Sequence, residues 1–265
     1  MPTTIHPMAF VSPDAQIGED VEIGPFCTIG SDVQIGDRVR LVSHVSIDGH
    51  TTIGSGTTVY PFAALGHAPQ DFKYRDEPTT LKIGERNVIR EHVSMHRGSV
   101  TGRSETRVGN DNLFMAGSHV AHDCIVGSKT NFANNATLGG MVVVEDNVIL
   151  GGLSAVHQLG RVGQGAFIGG GAPVTGDVIP FGMVDNHGKL HGLNLIGLQR
   201  RGVDRDKINT LRRAYRVLFH GPGRFSDRLA ALPGEFADSP EVQKIVSFIE
   251  DAERRPICMP RLSND

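Results

Sequence analysis

Aliphatic residues recur at every sixth position through most of this chain, and few architectures tolerate that period. The rungs run Ile5, Val11, Ile17, Ile23, Ile29, Ile35, Leu41, Ile47, Ile53, Val59 and Leu65. They resume at Ile83, Ile89 and Met95, and again from Val108 through Phe114 and Val120 to Val174. A helix repeats near 3.6 residues and a flat strand near two, so neither sustains a period of six. Six is even, so short strands joined by a corner at every sixth residue return each rung to the same inside face. The pattern predicts an all-β solenoid over residues 1–188. Glycine often follows the rung, as at Gly18, Gly24 and Gly30, and the chain has no tryptophan, which suits a narrow core of Ile, Val and Leu.

Two breaks interrupt the repeat. The first, at about 66–82, contains His67-Ala-Pro-Gln-Asp-Phe-Lys-Tyr and resumes at Ile83, as though a whole coil had been replaced or pushed out. The second, at about 98–107, shifts the phase by one residue. Loops that a regular coil does not need tend to carry function. Past Pro180 the period changes to that of helices. Ile208, Leu211, Tyr215, Leu218 and Phe219 share one helical face, and Ser239-Pro240 reads as a helix start. A small helical domain is therefore expected over 189–265, covering the open end of the solenoid.

The net charge of −3 argues against a general nucleic-acid binder. No run approaches the roughly 20 apolar residues that span a bilayer, and Met1–Phe10 lacks a secretory pattern. Cys27, Cys124 and Cys258 lie far apart without a paired motif, which fits a reducing cytoplasm. Between Arg200 and Arg228 stand nine basic residues against Asp204, Asp206 and Asp227. Such a surface is either a solvated helix face or a dock for an acidic partner or phosphates.

Polar outliers gather between His119 and Gln158. Three rungs make a coil of 18 residues, so His122, Gly140 and Gln158 should stack in one column, about 5 Å apart per coil. His157 lies in the adjoining column with Gly139 and Ala121. An imidazole beside the Asp123 carboxylate suits a general base acting on a hydroxyl, and a glycine one coil away offers an N–H to an oxyanion. Cys124 occupies a small-residue packing slot, as Cys27 does, and reads poorly as a nucleophile. A zinc site of the kind gathered across subunits in trimeric β-helical carbonic anhydrases is the rival, using His119, His122 and His157. The spacing of three between His119 and His122 speaks against a shared metal within one strand.

The chain resembles the hexapeptide-repeat UDP-N-acetylglucosamine 3-O-acyltransferases of lipid A biosynthesis. The likeness rests on IGPFC at 23–27, QDFKY at 70–74, IRE at 89–91, HRG at 96–98, HVAHDCIVG at 119–127, ANNATL at 133–138, AVHQ at 155–158 and GLQRRG at 197–202. It implies a left-handed parallel β-helix, a homotrimer with active sites between subunits, and transfer of an (R)-3-hydroxyacyl chain from acyl carrier protein to the sugar 3-hydroxyl. It implies no cofactor beyond the carrier's phosphopantetheine, and no metal. By the same resemblance His122 is the base, Asp123 orients it, and the Gly140 N–H steadies the oxyanion. Asp71, Lys73, His119, His157 and Gln158 would line the sugar and donor site, and Asn194, Arg200 and Arg201 the nucleotide end. The basic tail would meet the acidic carrier protein.

Two positions depart from the family pattern: Met141 stands where a histidine is usual, and Ile196 where an acidic residue is usual. A 3-amino UDP-sugar is therefore the alternative acceptor. Gly170 matches a position where a bulky side chain shortens the acyl pocket, and His187 one near its far end, so a deep pocket is expected. The related N-acyltransferases carry an additional N-terminal domain, whereas the rungs here begin at Ile5. A non-catalytic scaffold leaves the two polar loops and the basic tail unexplained.

Overall fold

The computed structural model describes residues 2–252 and 255–261. Residues 4–193 hold strands that stack into three flat, almost wholly parallel faces. Face A has eleven strands, face B nine and face C eight. Most strands are two residues long, and each pairs with the strand 18 residues on: Thr4 with Glu22 on face A, Phe10 with Thr28 on face B, and Gln16 with Gln34 on face C. The first residue of each pair points outward and the second inward. Inside stand Ile23, Ile29, Leu41, Ile47, Phe114, Phe132 and Leu138, all at 1 % exposure or less. Between faces the chain turns within four residues, and the third residue past the rung commonly takes the left-handed conformation, as at Phe26, Asp123 and Met141.

Both breaks prove to be corner insertions, not replaced coils. On face A, Val59 pairs with Ile89 and Ile89 with Phe114. These separations of 30 and 25 exceed the normal 18 by 12 and 7 residues. Ile83 is thus the next rung after Leu65, on face C directly beside Ile53. The expectation of a whole displaced coil is corrected: a multiple of six preserves the phase whether the chain inserts two rungs or three. Both insertions leave the body at the edge between faces B and C.

Residues Leu190–Leu193 turn back antiparallel to Gly182–Val184 and add a last strand to face A, so regular helix begins only at 195. Helices α1 (Leu195–Arg200), α2 (Arg205–His220), α3 (Phe225–Glu235) and α4 (Pro240–Glu250) follow. Asp204 and Ser239 cap α2 and α4 by accepting backbone N–H groups. The expected α2 face is buried apart from Tyr215, which is partly covered, while α1 and α3 carry weaker patterns and were not foreseen. Arg161 ties the two parts together, donating to Asp177 at 2.7 Å and to Phe248 O at 2.8 Å. The tail returns to the solenoid where Cys258 N–H donates to Asp177 O at 2.8 Å. Residues 262–265 of the expected helical unit lie outside the described residues. Among the described residues no helix is long and apolar enough to cross a membrane.

Phe114 and Phe132 stack on consecutive coils with ring centroids 4.7 Å apart, both fully buried. Truncating Phe114 to alanine should lower unfolding free energy by about 3–5 kcal/mol, because a coil one residue wide cannot collapse into the space. Urea unfolding at fixed protein concentration measures this, and a loss under about 1 kcal/mol would contradict a close-packed core.

Candidate active site

The Asp123 carboxylate is buried and held by several donors. The residue sits in a left-handed corner (φ 61°) with no exposed surface. The second insertion wraps around its carboxylate: Ser99 N–H donates to both oxygens at 3.1 Å, Ser99 Oγ–H at 2.7 Å, and Arg103 N–H at 2.7 Å. A Cβ on Gly102 would stand 2.3 Å from Asp123 Oδ2, so glycine is required there for the loop to close. Burial by itself raises the Asp123 carboxyl, but the hydrogen bonds from His122, Ser99 and Arg103 outweigh it and hold the group below the usual aspartate range.

His122 Nδ1 lies 2.7 Å from Asp123 Oδ2. An ionised carboxylate only accepts, so Nδ1 carries the proton and Nε2 presents its lone pair. Nε2 faces Gly140 on the next coil, where a Cβ would approach it to 2.6 Å. Only glycine leaves this ring nitrogen uncovered. The coil register delivers this pairing, since Val120 lies beside Leu138 and Leu138 beside Val156. Among the described residues the Gly140 N–H donates to no acceptor, while its neighbours Gly139 and Met141 donate within the solenoid. Gln158 and His157 are exposed one coil further on, with His157 Nδ1 3.1 Å from Gln158 O.

His119 points outward from face B, and His122 lies round the corner from it. His119 Nδ1 is 2.7 Å from Ser94 Oγ on the coil below, and its ring meets His96 edge-on at 4.9 Å. His96 in turn pairs in register with His67, whose Nε2 is 3.0 Å from Ser46 Oγ. Burial lowers the His119 pKa against the opposing hydrogen bond of Ser94. Burial also pushes His96 down to about 4, helped by the charges of His119, His67 and His122. His96 Nδ1 is buried and has no partner among the described residues. His67, His96 and Ser94 escaped the sequence reading because the 12- and 7-residue insertions break the arithmetic of 18 just where these residues stack.

The first insertion holds Asp71 and Lys73, whose N–H donates to Asp71 Oδ1 at 2.9 Å. Its Tyr74 hydroxyl accepts from Arg97 Nε at 2.8 Å, which anchors the loop next to His96. Asn194, Arg200 and Arg201 are elsewhere, lining a cleft of about 530 Å³ over face A with Lys129, Asn147 and Ile196. Asn194 also caps α1, accepting from Gly197 N–H at 3.0 Å and donating to Gly165 O at 3.0 Å. One chain therefore separates the expected residues into two groups on different faces. Gly170 and His187 follow strands that pair directly, and beyond Gly170 a Cβ would meet nothing nearer than 3.4 Å.

Burial pushes the Cys124 thiol up to about 12, and its Sγ–H donates to Gly139 O at 3.2 Å, so it stays protonated and unreactive. Among the described residues no three His, Cys, Asp or Glu side chains of one chain gather as metal ligands.

An imidazole oriented by a buried carboxylate, with a free N–H beside it on a parallel β-helix, has the geometry that acyl transfer needs, and the repeat is that of the hexapeptide class. Comparison with known proteins agrees. A family model of UDP-N-acetylglucosamine O-acyltransferase domain 2 matches residues 177–258, and the bacterial transferase hexapeptide model matches 14–49 and 105–140. The chain is 51% identical over 203 residues to the acyl-[acyl-carrier-protein]–UDP-N-acetylglucosamine O-acyltransferase of Paracoccus denitrificans, covering 76% of this chain and 77% of that one. The Caulobacter vibrioides enzyme of that name is also 51% identical over the same shares. The crystal structure of the UDP-N-acetylglucosamine O-acyltransferase of Moraxella catarrhalis superposes with a TM-score of 0.92 at 39% identity, over 96% of this chain and 98% of that one. The Francisella novicida UDP-N-acetylglucosamine acyltransferase gives 0.93 at 33% identity, over 98% and 95%. The chain belongs to the UDP-N-acetylglucosamine O-acyltransferase family, and its solenoid is the left-handed parallel β-helix.

The folded protein holds His96 neutral down to about pH 4, whereas the unfolded chain protonates it near 6.5. Folded protein therefore binds fewer protons in that window, and stability falls as pH drops through it, by on the order of 3 kcal/mol. Asp123, held low, adds its own loss only below the ordinary aspartate range. Urea midpoints between pH 7 and 4.5 should fall less steeply for His96→Phe than for the wild type, and equal slopes would rule this out.

Proposed function

We propose that this chain moves an (R)-3-hydroxyacyl group from the thioester of acyl carrier protein to the 3-hydroxyl of UDP-N-acetylglucosamine, the first step of lipid A biosynthesis. The arrangement of His122, Asp123 and Gly140 in a member of this family carries the reading. His122 Nε2 takes the proton of the sugar hydroxyl as its oxygen attacks the thioester carbonyl. Asp123 stabilises the imidazolium that forms, and the Gly140 N–H donates to the oxyanion. Collapse breaks the carbon–sulfur bond, and His122 returns its proton to the leaving thiolate. An ester and the free phosphopantetheine thiol result, and no other cofactor is needed. Asp71, Lys73, His119, His157 and Gln158 would hold the sugar and donor, with the unpartnered His96 nitrogen free to meet a substrate polar group. Arg200 and Arg201 suit the pyrophosphate, and Asn194 the nucleotide end.

Those two groups meet only if face A of one copy lies against face B of another, as in a closed trimer. The outward residues support this. Beyond an Arg40–Glu22 ion pair at its start, face A presents Val88, Leu113, Ile149, Phe167 and Met183 with Asn131 among them, and past Phe10 face B presents Ser46, Ala64, Ser94, Thr137 and Ala155. On the upper coils large apolar side chains of face A thus oppose small ones of face B, while face C mixes Lys82, Arg107 and Arg161 with Ile125 and Val143. On α2 the exposed Arg205, Arg212 and Arg216 suit the acidic carrier protein, whereas Arg213 lies over the Phe236 ring and Arg228, on α3, donates to Leu218 O. The open space at Gly170 suits a long acyl chain, with His187 near its end. Three free buried cysteines fit work in the cytoplasm.

Met141 and Ile196 keep a 3-amino UDP-sugar as the second reading. Purified protein given (R)-3-hydroxyacyl carrier proteins of several lengths and either acceptor should yield the ester of UDP-N-acetylglucosamine, read by mass. Amide product alone would shift the acceptor, and no product would reject the reaction. A His122→Ala protein that stays folded should lose roughly 10²–10⁴ in turnover; near-full turnover would remove the base from this site.

A further inference from the structure

The corner that carries the free Gly140 N–H is built from the residues that restrain a backbone least. Gly139 and Gly140 stand side by side in it. Neither can give way to a stiffer residue: a Cβ on Gly139 would stand 2.8 Å from Gln158 N, and one on Gly140 2.6 Å from His122 Nε2. Two ladder bonds flank the pair, Gly139 N–H to Val156 O at 2.9 Å and Met141 N–H to His122 O at 2.9 Å. The repeat supplies nothing further. Among the described residues the Met141 carbonyl accepts no backbone N–H, and neither does the Asp123 carbonyl at the same place one coil earlier.

A side chain from outside the repeat takes both carbonyls. Arg103, in the second insertion, donates from Nη1 to Asp123 O at 2.5 Å and to Met141 O at 3.2 Å. One nitrogen thus spans two consecutive coils, at the corners that hold His122 and Gly140. The backbone behind it is anchored, since Arg103 N–H donates to Asp123 Oδ1 at 2.7 Å. The span therefore hangs from the same buried carboxylate that orients His122. The next corner of the column is held in the same manner, because Leu159 O accepts from Arg255 Nη1 of the C-terminal tail.

We propose that Arg103 is a positioning residue for acyl transfer: it ties the Gly139–Met141 corner to the Asp123 corner and so sets where the Gly140 N–H stands relative to His122 Nε2. The proposal rests on the acyl-transfer reading above. The second insertion then serves the site twice, with backbone and hydroxyl donors on the Asp123 carboxylate and with a guanidinium across the two corners. The Gly140 N–H meets an oxyanion only as that charge forms, so its placement bears on the transition state and leaves the binding of the bound sugar untouched. Loss of the tie falls on kcat and spares KM.

Arg103→Met and Arg103→Lys test this in the full chain. Arg103 is exposed, so neither change touches the core, and both keep the backbone N–H on Asp123. Methionine removes the side-chain donors, whereas lysine keeps a cationic one. Hydrogen exchange read by mass comes first, because it needs no turnover. In Arg103→Met the protected amides of Gly139 and Met141 should exchange roughly tenfold faster than in the wild type. Peptides over Asn131 and Phe132, held by their own ladder on face A, should not change. With UDP-N-acetylglucosamine and an (R)-3-hydroxyacyl carrier protein, kcat of Arg103→Met should fall roughly tenfold to a hundredfold, less than removal of an oxyanion donor outright. KM for the sugar should stay within about twofold, and Arg103→Lys should recover most of the loss. Unchanged exchange at 139–141 would overturn the proposal, and so would a raised KM at constant kcat, which would make Arg103 a substrate contact. A wild-type protein without turnover would instead reject the acyl-transfer reading, and exchange alone would then decide whether Arg103 holds the corner.

Discussion

The whole molecule depends on one backbone constraint: each coil must repeat the path of the coil beneath it so that N–H and C=O groups meet at 18-residue intervals. A backbone group that misses its partner inside a stack of parallel strands is costly, so extra residues can leave only at corners and must return in phase. That rule places both insertions on the B–C edge of successive coils. It also puts His122 and Asp123 on the same edge one coil later, and Gly140 and Gln158 on the two coils after that. The candidate catalytic groups are thus aligned by main-chain register, not by the packing of flexible side chains, which is a rigid way to hold an imidazole beside a backbone N–H.

The carboxylate of Asp123 shows what the second insertion is for. A buried charge is tolerable only when fully hydrogen-bonded. Ser99 and Arg103 supply those bonds from a seven-residue excess that a plain coil would lack. The charge so held fixes the tautomer of His122. Seen along the solenoid axis, the edges differ in their left-handed corner residues: B–C includes Asp123, C–A includes Asp20, Arg38, Arg86, Asp111 and Lys129, and A–B includes Phe26, His44, Phe62 and His92.

The fold was legible because a six-residue period has one structural solution, and the column of His122, Gly140 and Gln158 followed from counting by 18. The roles of Asp71, Lys73, Asn194 and Arg200 came from resemblance, since no local pattern marks them. His67, His96 and Ser94 were illegible for a physical reason. They stack across insertions of unequal length, and only paired strands reveal the new register. Ser99 and Gly102 lie in a loop with no repeat, so their service to Asp123 could be seen only once that loop was folded. The strand at Leu190–Leu193 was likewise hidden, because it runs antiparallel and breaks the period.

The account stands on a site built from two copies of the chain, His122 from one and Arg200 with Arg201 from its neighbour. Subunit complementation tests this most directly. His122→Ala and Arg200→Ala/Arg201→Ala proteins, each of low activity alone, are dissociated together and reassembled in equal amounts. With random mixing of a head-to-tail ring, about one interface in four joins an intact His122 to intact arginines, so activity should return to roughly a quarter of wild type. Mixed assemblies no more active than the average of their parents would mean that each chain works alone, and would contradict the account.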